Sequence, residues 1–120
     1  MKGLHTKSER KFIRKLADMA WERQLREALN SIGGVISEMA SGNLSPFDAN
    51  EAVHRFHSGI SRELYILYSG SDPWFAVCRA HYDGILTDDD LANASENIRA
   101  GLKQFADRFE EYNGIHSAEC

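Results

Sequence analysis

The chain has 120 residues, 42% of them hydrophobic and 27% charged, with two cysteines and a formal net charge of −4. That length and balance suit one folded domain with its own core. They exclude a disordered segment, a disulfide-stapled miniprotein and a strongly basic nucleic-acid binder.

No run of about 18 apolar residues exists, so no membrane-spanning segment is expected. The start, MKGLHTKSERK, lacks the apolar stretch of a secretory leader. The expectation is a cytoplasmic protein with a single helical domain over residues 1–120, fraying at 1–6 and 114–120.

The first predicted helix opens at Thr6-Lys7-Ser8-Glu9, a capping-box pattern. Its apolar positions are Phe12, Ile13, Leu16, Met19 and Ala20. From Trp21 they alternate by four and three through Leu25, Leu29, Ile32, Ile36 and Met39. Gly33-Gly34 costs about 1 kcal/mol per glycine relative to alanine. The apolar phase nevertheless runs through the pair, which favours one continuous or gently kinked helix over 7–42. Gly42-Asn43 stops it.

Ser45-Pro46-Phe47-Asp48 starts a second helix by an N-cap serine and a proline in the first turn. Its seam is Ala49, Val53, Phe56, Ile60, Leu64 and Leu67, and it ends at Ser69-Gly70-Ser71. Asp72-Pro73 starts a short third helix carrying Trp74, Val77, Cys78, His81 and Ile85 on one face. It ends at Asp83-Gly84. Thr87 is the expected cap of a fourth helix, where Asp88, Asp89 and Asp90 suit the positive helix start. Its seam is Leu91, Ala94, Ile98, Leu102, Phe105, Phe109 and Tyr112, closed by Asn113-Gly114. The fold class is therefore all-α, an antiparallel up-down bundle of about four helices with a long first and a short third member.

The lengths do not match. At 1.5 Å per residue the first helix spans roughly 54 Å, the second and fourth about 36–38 Å and the third about 16 Å. Either the first helix bends at Gly33-Gly34 or a second chain covers its overhanging apolar stripe. A homodimer is the natural expectation.

Charge is uneven. Residues 1–27 carry eight Lys/Arg against four acids, leaving six basic residues against fourteen acidic ones. Lys7, Arg10, Lys11, Arg14 and Lys15 share an arc of about 140° opposite Phe12, Leu16 and Met19. This basic stripe reads first as a solvated face and second as a docking strip for an acidic surface, including another copy. Nucleic acid is not favoured, because the chain is net acidic and has no helix-turn-helix or basic–aromatic interleaving.

Four polar residues are candidates for a site. His57, Ser61 and Glu63 flank the second helix seam, and His81 sits on the apolar face of the third. A hairpin folded near Gly70-Ser71 brings them level. Their first reading is a hydrogen-bond network fixing register, since unsatisfied burial costs about 1–3 kcal/mol. Their second is a ligand or metal pocket built on two imidazoles and a carboxylate. Glu51-x-x-His54 is a single outward-pointing copy of a motif that di-metal bundles need twice. Asp88-Asp89-Asp90 lacks EF-hand spacing. No cofactor, metal site or catalytic residue is assigned.

Leu64-Tyr65-Ile66-Leu67-Tyr68 and Trp74-Phe75 are apolar around nearly the whole helix end. Tyr65, Ile66, Tyr68, Trp74 and Phe75 form the candidate interface, since aromatic residues anchor many interfaces. The functional expectation is a non-enzymatic helical interaction or regulatory module. It self-associates through the first helix and this aromatic end. The alternative is a small-ligand or metal-binding bundle centred on His57, Glu63 and His81.

Overall fold

Three of the four expected helix starts are set by the side chains that the sequence offers for them. In the computed structural model, which describes the backbone of residues 5–119 and the side chains of 5–114, the Glu9 amide donates to Thr6 Oγ1 at 3.0 Å. The Thr6 amide donates back to Glu9 Oε1 at 2.8 Å. Ser45 Oγ accepts from the Asp48 amide, and Asp72 Oδ1 from the Phe75 amide. Among the described residues five α-helices result: α1 (Lys7–Ala40), α2 (Pro46–Phe56), α3 (Arg62–Ser69), α4 (Pro73–Tyr82) and α5 (Glu96–Glu119). The all-α bundle expected from the seams is the fold observed.

Glycine closes α1 and α4. Gly42 and Gly84 adopt φ of 82° and 81°, a left-handed conformation costly for other residues. The following amides then reach back, Asn43 to the Glu38 carbonyl at 3.0 Å and Ile85 to the Ala80 carbonyl at 2.9 Å. Between these ends α1 is one 34-residue helix, uninterrupted at Gly33-Gly34. Its length of about 51 Å nearly matches the 55 Å long axis of the molecule.

The fourth expected start is displaced. Thr87 and Asp90 do form a capping box, but it closes only a 3-10 turn over Asp88–Leu91. The helix proper begins after Ser95, whose hydroxyl accepts from the Ile98 amide at 3.2 Å. It then continues past Asn113-Gly114 to Glu119. At the other end, Thr6 caps α1 and His5 packs edge-on to Trp74 at 4.6 Å. Both residues are thus part of the fold rather than tail. Residues 1–4, where fraying was expected, lie outside the described residues.

The second expected helix is interrupted as well. A π turn over His57–Ser61, passing through Gly59 (φ −100°, ψ −106°), joins α2 to α3. A π turn adds one residue to the helical count, which turns everything downstream by about 100°. Tyr68 thereby joins Ala49 and Leu64 on the buried line and Ile60 stands 42% exposed, while Val53, ahead of the turn, is 37% exposed within α2 itself.

The core lies at one end of the molecule. It joins Ile13, Leu16, Ala17 and Ala20 of α1 with Leu64 and Tyr68 of α3, Ala76, Val77, Cys78 and Ala80 of α4, Leu86, Leu91, and Ile98 and Leu102 of α5. Burial raises the Cys78 thiol to about 12, so it remains a protonated apolar filler. Beyond this core the second half of α1 and α2 continue as a two-helix arm. The one buried residue of α2, Ala49, does not belong to the core cluster.

The direction of the last helix departs from strict alternation. Trp74 meets Gly101, Phe75 meets Phe105, Arg79 lies over Phe109, and Tyr82 reaches Phe109 and Glu110. The paired positions advance together, so α4 and α5 run in the same sense. The connection over residues 83–95 permits this, because that many residues can span about 40 Å and α4 is only about 15 Å long. Arg23 holds the connection to α1, donating to the Ile85 carbonyl at 2.9 Å and to both Asp90 oxygens at 2.7 and 2.8 Å. Arg99 donates to the Leu91, Ala92 and Ala94 carbonyls from the other side.

Candidate interaction surface

The polar quartet does not form a site. His57 and Glu63 are exposed, Ser61 and His81 are half-buried, and no hydrogen bond or ion pair joins the four to one another. The π turn is the reason, because it rotates α3 relative to α2 and moves Glu63 off the flank expected for it. His81 instead faces Asp88, with Nε2 3.9 Å from Oδ1 of a carboxylate that is 99% exposed. Such a contact is heavily screened by water. Among the described residues no three His, Cys, Asp or Glu side chains converge as metal ligands, and no charged or polar residue is fully buried.

The aromatic end divides into core and surface. Tyr68 is buried at 3% exposure, stacks on Trp21 at 6.0 Å and donates its hydroxyl to Gln24. Burial raises that hydroxyl to about 12, so it keeps its proton and its donor role. Tyr68 therefore presents no interface, contrary to the expectation from sequence. Trp74 is half-buried between His5 and α5, where a Cβ on Gly101 would stand 2.7 Å from its ring. The remaining three are open: Tyr65 at 61% exposure, Ile66 at 59% and Phe75 at 44%. A cleft of about 580 Å³, which the sequence did not suggest, opens beside Trp74 between His5, Asn97, Gln104 and Arg108.

Known protein families, curated proteins and solved structures offer no match to this chain. Its surface is therefore read from its own chemistry.

All five residues of the basic stripe, Lys7, Arg10, Lys11, Arg14 and Lys15, are exposed. Arg10 donates to the His5 carbonyl at 2.8 Å, and no ion pair links any of the five to an acid among the described residues. They form a solvated positive face along the first half of α1.

The larger unpartnered feature is apolar and lies on the arm. Leu29 and Ile36 of α1 are 48% and 41% exposed. Seven residues apart, they lie within about 20° of each other on the helix. On the facing side, α2 offers Val53 and the π turn Ile60. In an antiparallel pair, positions just after the seam fall on the same side of both helices. Leu29 and Ile36 follow the seam positions Ala28 and Val35, and Val53 and Ile60 follow Ala52 and Gly59, all four half-buried. Tyr65 follows the buried Leu64 in the same way. The extra residue of the π turn sets Tyr65 about three full turns from Val53. One row of exposed apolar side chains thus runs along one side of the arm and onto α3. Tyr65 leans edge-on against Trp21, and no helix among the described residues covers the rest of the row.

Proposed function

We propose that this protein is a non-enzymatic helical interaction module that self-associates through α1 and the exposed aromatic end of α3. The observation that carries this reading is the exposed apolar row Leu29, Ile36, Val53 and Ile60 on the arm outside the core, continued by the exposed Tyr65 on α3, whose ring meets Trp21 edge-on. Large exposed apolar faces mark docking surfaces in soluble proteins. The radius of gyration, 18.0 Å, exceeds the roughly 14 Å of a compact chain of this length. The uninterrupted path of α1 through Gly33-Gly34 adds support, since a bend there was the alternative way to shelter the overhang. Among the described residues no helix is long and apolar enough to cross a membrane, so the face has no bilayer-spanning role to explain it.

The ligand-binding alternative centred on His57, Glu63 and His81 draws no support from the geometry, because those groups neither meet nor enclose a cavity. Tyr65→Ala tests the favoured reading. The variant should keep its helical circular dichroism, because Tyr65 is mostly exposed. In light scattering it should move from twice 13.5 kDa toward the monomer mass at micromolar concentration. A Tyr65→Ala protein with an unchanged dimer mass removes the aromatic end from the interface.

A further inference from the structure

Gly33 has no work to do within one copy of the chain. A Cβ there would meet nothing within 4 Å. Its φ is not positive, and it sits in the exposed middle of a regular helix where alanine favours folding. It shares a face with the apolar row, because Leu29, Gly33, Ile36 and Ala40 recur at intervals of four, three and four. Bulky residues flanking a glycine at this spacing leave a notch into which another helix can settle closely.

We infer that the arm formed by the second half of α1 and by α2 packs against the same arm of a second copy about a two-fold axis near Gly33. This inference rests on the proposed self-association and specifies how it is built. Antiparallel α1 helices centred there set Leu29 of each copy against Ile36 of the other. Val53 and Ile60 flank that contact, and four helices form one layered bundle. A second copy fits better than an unlike partner for two reasons. First, the face carries little charge of its own. Its rim acid and base, Glu22 and Arg26, already pair within one chain at 3.3 Å, so an oppositely charged partner has nothing to recognise. Second, an isologous contact needs one patch that complements itself, and large residues on both sides of a notch do so. The area is sufficient. Residues 25–40 make a face about 24 Å long, and two helices make it about 20 Å wide. The two copies then bury about 1,000 Å², near the lower bound for a specific interface.

Three variants of the full chain test the pairing by light scattering, circular dichroism and thermal melting. Ile36→Glu should reduce the dimer mass to that of the monomer while helicity stays, because the side chain is already half in water. Gly33→Leu should also dissociate the dimer. Its monomer should melt no lower than wild type, since the residue gains helix propensity and meets nothing in its own chain. Gly33→Ala should weaken the dimer less than Gly33→Leu does. A wild-type dimer that survives Ile36→Glu and Gly33→Leu overturns the arm pairing and leaves self-association standing elsewhere. A wild-type monomer at micromolar concentration overturns both.

Discussion

Gly101→Leu is expected to destabilise the chain by about 2–3 kcal/mol. A leucine ordinarily favours a helix over glycine by somewhat under 1 kcal/mol. Here that gain is outweighed, because a Cβ on residue 101 would lie 2.7 Å from Trp74 Cζ2 and the isobutyl group needs the space the indole fills. Trp74 must leave its seat against His5, losing the edge-on ring contact. Overpacking of this kind costs about 1–3 kcal/mol, with eviction of a large ring at the upper end. Urea unfolding gives the energy, and Trp74 emission in a Trp21→Phe background should shift to the red. Unchanged stability and emission would mean that the α4–α5 contact is looser than described.

Arg23→Ala should cost about 2 kcal/mol, although its side chain is 41% exposed. The guanidinium satisfies the Ile85 carbonyl and both oxygens of Asp90. The Asp90 side chain is only 11% exposed, so removing Arg23 leaves a poorly hydrated carboxylate with only Thr87 as donor. Arg23→Lys should restore only part of the loss, since an ammonium cannot make the paired contact. The arginine, aided by Thr87, holds the Asp90 carboxyl well below the usual carboxylate range. A depressed folded-state value means the contribution is present above about pH 4, where an unfolded aspartate is ionised. It is lost as pH falls below that. The gap between wild type and Arg23→Ala should therefore narrow steadily as pH falls below about 4 and close only when the folded-state Asp90 carboxyl, held well below the usual range, takes up its proton. A gap that stays constant as pH falls would show that Asp90 is not the group Arg23 serves.

Much of this architecture is legible in the sequence, and the illegible parts share a cause. Thr6, Ser45, Asp72, Gly42 and Gly84 act through bonds within a few residues, so their roles can be read locally. The continuity of α1 follows from a phase kept across Gly33-Gly34. The π turn could not be read, because nothing in His57-Ser58-Gly59-Ile60-Ser61 distinguishes it from an α turn containing glycine. One inserted residue then shifted every later position of that helix. A regular helix there would turn Ile60 inward and bring Ser61 and Glu63 toward His81, whereas the observed turn leaves Ile60 and Glu63 exposed. Thr87 is the cap the sequence suggests, but the helix starts after Ser95, and the residues between are held by Arg23 from α1 and by Arg99 from the first turn of α5. The parallel run of α4 and α5 rests on contacts far apart in the chain, Phe75 with Phe105 and Tyr82 with Phe109, which no local pattern reveals. The overhang of α1, by contrast, was visible from helix lengths alone. The structure ties it to particular residues, Leu29 and Ile36 on α1 with Val53, Ile60 and Tyr65 opposite.

Sedimentation equilibrium of the wild-type chain at micromolar concentration tests the central claim most directly. An apolar row left uncovered on a two-helix arm predicts a mass of twice 13.5 kDa, falling toward the monomer on dilution. A mass of 13.5 kDa at every concentration would contradict it.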